Sequence, residues 1–336
     1  MKNSYERLAR PLLFSFDAET AHHLTVGLLR TASHFNLALC ALKSFQPPSK
    51  PKTVFGITFP NPIGLAAGLD KNGVALPAWA VLGFGFIEIG TVTAKAQPGN
   101  PKPRIFRLSA QQALINRLGF NNDGADAIAD RLRKLRNSER WPAVPVGINI
   151  GKSRATPLEQ ATDDYLYSFR LLQEFADYIT LNVSSPNTPG LRELQEPQKL
   201  SDLLQAIGND AGTTPKPLVV KISPDLSGAE LKTILAVCEE NAVSGIIATN
   251  TTLDHSSIAP QLDQAGGLSG APLRDKSTAF VREIAARSTI PVIASGGIFD
   301  AESAREKFQA GALLIQLYTG LVYRGPGLIR EIVEEL

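Results

Sequence analysis

The chain has 336 residues, 43% apolar and 20% charged, enough to bury a large core and too apolar for a disordered tail. With 34 Lys plus Arg against 32 Asp plus Glu the net charge is only +2, which argues against the basic surface of a nucleic-acid binder. Cys40 and Cys238 stand far apart, and His22, His23, His34 and His255 lack zinc-ligand spacing, which excludes a disulfide scaffold and a zinc enzyme.

The N-terminal segment differs from the rest. Residues 1–52 hold seven basic and three acidic side chains, a net +4 that leaves −2 for the remaining 284. Tyr5, Leu8, Leu12, Leu13, Phe14 and Phe16 form an apolar stretch broken by Pro11, and Ala21, Leu24, Leu28, Ala32, Phe35 and Leu39 recur at helical steps from about Asp17 onward. The pattern predicts a small helical module over 1–45, either packed on the main body or lying on an anionic bilayer, where each Lys or Arg contributes about 1 kcal/mol. Residues 46–53, with three prolines, read as a linker. No run reaches the roughly 18 apolar residues of a membrane span and no signal-peptide pattern follows the N-terminus, so a reducing, cytosolic compartment is expected.

From residue 54 a hairpin over 54–59 is followed by eight short apolar runs: 63–67, 86–90, 146–150, 178–183, 218–222, 245–249, 291–295 and 313–317. Helical patterns over 71–83, 123–136, 158–175, 197–209, 227–241, 272–287, 300–310 and 326–335 follow them in turn. Eight such units in about 280 residues predict an α/β fold, a (β/α)8 TIM barrel with a small N-terminal helical extension, the barrel covering 54–336. Insertions at 91–122, 184–196 and 251–271 are long enough to expect function from them, the second as an active-site lid.

In such barrels the loops after the strands build the site. Here the strands run into Gly68 and Lys71; Thr91; Asn149; Asn182 with Ser185 and Asn187; Lys221; Thr249 with Asn250 and Thr251; Gly296 and Gly297; and Tyr318 with Thr319. The glycines after the seventh and eighth strands, with Gly266-Gly267-Leu268-Ser269-Gly270, suit a phosphate group. No Asp, Glu or His pair supplies acid–base chemistry, which points to a bound cofactor as the reactive group. Lys221 suits the negative charge of a reduced flavin; a structural pairing with a carboxylate is disfavoured because its own strand contains none. A non-catalytic barrel binding a phosphorylated ligand remains the alternative from another class.

Five motifs carry a resemblance: Ala66-Ala67-Gly68-Leu69-Asp70-Lys71-Asn72-Gly73, Ile89-Gly90-Thr91-Val92-Thr93, Asn116-Arg117-Leu118-Gly119-Phe120-Asn121-Asn122, Asn182-Val183-Ser184-Ser185-Pro186-Asn187-Thr188 and Ala294-Ser295-Gly296-Gly297-Ile298. In this order, over nearly the whole chain, they resemble the dihydroorotate dehydrogenase family. The resemblance implies oxidation of (S)-dihydroorotate to orotate in pyrimidine (UMP) biosynthesis, with one FMN per chain. It implies Ser185 as catalytic base, which resembles the quinone-reducing class, whereas a soluble class uses Cys and passes electrons to fumarate or NAD. Carried over by motif position, Ala67, Gly68, Thr91, Asn149, Asn182, Lys221, Thr249, Gly270, Gly297, Tyr318 and Thr319 are the implied FMN contacts. Lys71, Asn116, Arg117, Leu118, Gly119, Phe120, Asn182, Asn187, Asn250 and Thr251 are the implied substrate contacts. The extension over 1–45 is the implied quinone tunnel, with His22, Arg107 and Tyr318 near it, and ubiquinone or menaquinone the acceptor. The implied setting is a monomer held peripherally on lipid at the cytoplasmic face of a bacterial inner membrane.

Overall fold

Eight runs buried on both faces suit a parallel sheet covered by helices, and here they close into a barrel. In a computed structural model describing residues 5–212 and 215–336, they are Ile63–Leu65 (β1), Phe86–Val92 (β2), Val146–Ile150 (β3), Tyr178–Asn182 (β4), Leu218–Ile222 (β5), Gly245–Ala248 (β6), Val292–Ser295 (β7) and Leu314–Leu317 (β8). Each pairs in parallel with its neighbours in chain order, and β8 closes on β1. Helices between the strands cover the outside, so the apolar runs are continuous rather than alternating.

One end of the barrel is sealed. The strands Lys52–Val54 and Ile57–Phe59 form an antiparallel hairpin whose turn residues Phe55 and Gly56 both have positive φ. Phe59 packs on Phe86 with ring centroids 5.2 Å apart, and Val54, Tyr178, Val219, Ile247, Ile293 and Leu314 complete this apolar plug. Gly64 and Gly147 make room for it: a Cβ on either would overlap the ring of Phe86 or of Tyr178. The open end is therefore the one where the strands finish.

Four expected boundaries change. The helix expected over 71–83 shortens to Leu76–Val81, because the buried Asp70 carboxylate accepts from Val74 N (2.9 Å), Ala75 N (2.8 Å) and Trp79 Nε1 (3.2 Å) and holds the preceding residues as turns. The pattern over 158–175 is an α-helix only at Ala161–Leu172, flanked by 3-10 turns. The last two linker residues, Lys52 and Thr53, already pair in the hairpin. The insertions are not loops throughout: Ile105–Leu108, Ala113–Asn116 and Gly267–Gly270 join 91–122 and 251–271 as a three-stranded antiparallel sheet.

The N-terminal stripe resolves into two helices, Ala18–Ala32, capped by the Asp17 carboxylate, and Asn36–Leu42. Of the expected face only Ala21 is buried; Leu24, Leu28 and Phe35 are 43%, 70% and 59% exposed. Val26, Leu29 and Leu42 pack on the barrel instead. The helix pair thus has two apolar sides, one covered and one bare. Arg104 ties it down, donating from Nε and a terminal nitrogen to the buried Glu19 carboxylate (3.1 and 2.7 Å).

Candidate active site

The open end of the barrel holds a cavity walled by every strand except β3, each through its own residues or the loop that follows it. Lys71 reaches it from the loop after β1, Thr91 from β2, Asn182 from the end of β4, Ser185 and Asn187 from the loop that follows, Lys221 from β5, and Thr249, Asn250 and Thr251 from the loop after β6. The antiparallel sheet adds Asn116, Ser269 and Gly270, and the loops after β7 and β8 add Gly296, Gly297, Tyr318, Thr319 and Gly320. Ala67, Gly68, Leu118, Gly119 and Phe120 complete the expected set.

Asn149 and Arg117, also expected near the ligands, are not among the residues lining the cavity. Asn149 is fully buried behind the wall, where its Oδ1 accepts from Thr91 Oγ1 at 2.6 Å. Arg117 points away, its guanidinium donating to Pro103 O (3.0 Å) and lying 4.9 Å from the Phe106 ring centre. A strand motif cannot show which neighbour stands between a side chain and the cavity. Ser269, Gln316 and Gly320 line it without having been assigned a role, and the sheet that brings Ser269 in had no signal beyond its glycines.

Several wall groups are poised for a ligand. Thr249 Oγ1 and Gln316 Oε1 are buried and without a hydrogen-bond partner among the described residues. Lys221 has no ion-pair partner within 4 Å there; burial lowers its pKa, and the charge of Glu88, three strands away on β2, opposes that fall. No carboxylate of the described residues pairs with Lys221 directly, and Glu88 acts on it only as a charge across the barrel interior. Burial, then the Arg104 charge, push Lys71 down to about 8. Ser185 Oγ accepts from Asn187 N at 3.3 Å, with no Asp, Glu or His bonded to it.

The glycine loops form a cradle. Gly270, Gly296 and Gly297 all have positive φ, and a Cβ on Gly297 would overlap the Arg274 backbone while one on Gly320 would overlap Ile298 O. These positions admit no side chain, so a phosphate in the cavity can approach the main chain closely. The orphaned Thr249 hydroxyl, the amide-rich wall and the Lys221 ammonium suit a polar, flat ring system, so the residues present fit a flavin phosphate.

A second, apolar cavity lies between the N-terminal helices and the barrel, lined by Leu13, Phe14, His22, Val26, Leu29 and Leu69 among others. Tyr318 lines both cavities. Burial, with help from Lys71 and His23, pushes His22 down to about 3, so it is neutral at ordinary pH. Arg107 donates to Phe14 O (3.2 Å) and stacks 4.0 Å from its ring, while its buried Nε lacks a partner among the described residues.

Strand order and site geometry together define a (β/α)8-barrel enzyme working at the carboxyl ends of its strands. The model of dihydroorotate dehydrogenases matches residues 50–336. A dihydroorotate dehydrogenase (quinone) of Gloeobacter violaceus is 51% identical over 98% of this chain and 93% of its own, and one of Burkholderia pseudomallei is 48% identical over 100% and 99%. A crystal structure of the Eimeria tenella enzyme in complex with ferulenol superposes with TM-score 0.84 at 37% identity, covering 95% of this chain and 90% of that one. The chain belongs to the dihydroorotate dehydrogenase family, whose members are flavin-dependent oxidoreductases.

Proposed function

We propose that this chain oxidises (S)-dihydroorotate to orotate on FMN and passes the electrons to a membrane quinone, a step of pyrimidine biosynthesis. The observation that carries the reading is the convergence of Lys71, Ser185, four asparagines and the glycine cradle on one cavity. When bound, FMN supplies the hydride acceptor and, later, the electrons for the quinone. The chain's own residues do the rest.

Asn116, Asn182, Asn187 and Asn250 offer amide donors and acceptors to a cyclic ureide, and Lys71 faces its carboxylate. Ser185 takes a proton from the carbon beside the ring carbonyl as hydride leaves the neighbouring carbon. A serine hydroxyl is a weak base, so a relay must carry its proton away. The Thr188 hydroxyl, buried in the same loop without a partner among the described residues, supports a hydroxyl or water relay. Loop 184–196 closes over the site and excludes solvent.

The second cavity suits the apolar ring and tail of ubiquinone or menaquinone, with His22, Arg107 and Tyr318 at its polar points. No described helix is long and apolar enough to cross a membrane. Leu8, Leu12, Leu28 and Leu37 are 65% or more exposed on the N-terminal helices, which supports peripheral contact with lipid; the proposal is completed by a monomer at the cytoplasmic face of a bacterial inner membrane. The test is a yellow preparation whose flavin bleaches anaerobically with dihydroorotate and recovers with ubiquinone or menaquinone. Recovery with fumarate or NAD and with neither quinone would reject the quinone reading; no bleaching would reject the enzyme.

A further inference from the structure

Within the eight barrel strands Glu88 is the sole acid and Lys221 the sole base. Glu88 is fully buried and accepts four hydrogen bonds: Oε1 from Asn149 Nδ2 (2.9 Å), and Oε2 from Tyr178 OH (3.0 Å), Thr180 Oγ1 (3.2 Å) and Gln316 Nε2 (2.8 Å). All four neighbours turn a donor toward its oxygens, which act here only as acceptors.

The consequence travels to the cavity. With Nδ2 committed to Glu88, Asn149 can turn only its Oδ1 toward Thr91, which donates to it at 2.6 Å. Having given its hydrogen there, the Thr91 hydroxyl can only accept, and it does so from Asn182 Nδ2 at 2.9 Å. Asn182 Oδ1 then faces the other way and receives Ser184 N (3.3 Å), Ser184 Oγ (3.2 Å) and Asn250 Nδ2 (3.3 Å). Reversing any one step alone would set donor against donor or acceptor against acceptor among buried groups. On the other side, Gln316 gives its amide hydrogen to Glu88 and keeps its buried Oε1 unpartnered at the cavity.

We propose that Glu88 is a positioning residue for the reaction: as the fixed acceptor at the root of this chain, it sets the hydrogen-bond polarity of the cavity wall. An N–H from Asn182 and an acceptor oxygen from Gln316 then meet a ring edge of alternating carbonyl and N–H groups. The inference rests on the functional reading above, and that edge occurs both in the flavin and in the dihydropyrimidine substrate.

Glu88→Gln tests it, because it replaces one acceptor oxygen by an NH2 of the same size. Two readouts separate the ligands: flavin retained per protein after gel filtration, and orotate affinity from the shift it causes in flavin absorbance. A tenfold or greater weakening of either is expected, and both remaining within twofold of wild type would overturn the proposal. Tyr178→Phe removes a donor to Glu88 without reversing anything, so it should lower the thermal midpoint and leave both affinities within twofold; equal losses in this variant would make the role merely structural and overturn it. Should Glu88→Gln not fold, Asn149→Leu breaks the chain behind the cavity wall and is judged by the same thresholds. A wild-type flavin spectrum that ignores orotate overturns the functional reading, and flavin retention alone then decides the polarity claim.

Discussion

Ser185 and Lys71 carry the most direct tests. Ser185 touches no charged partner, so its replacement by Ala leaves the cavity wall and its glycine cradle in place. Flavin content is expected to stay at the wild-type level while anaerobic flavin reduction slows by roughly 10²–10⁴-fold, the range lost with a general base; stopped-flow absorbance measures it. Lys71, held at about 8 by burial and by Arg104, carries its charge below that pH and loses it above. Affinity for the orotate carboxylate is therefore expected to fall as pH rises from about 7 to 9, and Lys71→Met should bind weakly with no fall over that window. Spectral titration at fixed ionic strength checks both. Motif position located these side chains, while the structure moved Asn149 behind the wall and turned Arg117 outward. The reason is physical: a motif records which residue follows which, and a line of sight to the cavity depends on rotamers and on neighbours from other strands.

At the level of elements, the N-terminal helices show what periodicity leaves open. A helix with apolar residues on two sides gives more than one plausible stripe, and the sequence alone does not say which side the barrel covers. Val26 and Leu29 face inward, and Leu24 and Leu28 face out. Removal of residues 1–45 deletes one wall of the apolar cavity but touches neither the glycine cradle nor Ser185. Flavin reduction by dihydroorotate should then keep its wild-type rate, whereas reoxidation by a quinone should slow severely; separate half-reaction kinetics distinguish the two. The sheet linking the second and sixth loops has little local signal: its strands have four residues each, and the third, which holds two glycines, pairs with a strand about 150 positions earlier.

For the whole molecule, closure of the barrel is what makes the residues a site. Sealing one end with Phe59, Phe86 and Tyr178 leaves the other as the only mouth of the eight strands, and the fit is tight enough that Gly147 lies against the Tyr178 ring. Gly147→Ala is expected to cost about 1–3 kcal/mol by overpacking, read by urea denaturation at fixed flavin concentration, although it touches no part of the cavity. Strand count, strand order and the loop residues that carry chemistry were all set by local signals: apolar runs buried on both faces, helical periods between them, and motifs a few residues long. Those signals reach only along the chain. Which loops pair, which side of a helix is covered, and that Glu88 on one strand bonds amides on two others are decided by contacts about 60 to 230 positions apart, the longest of which needs the eighth strand beside the first.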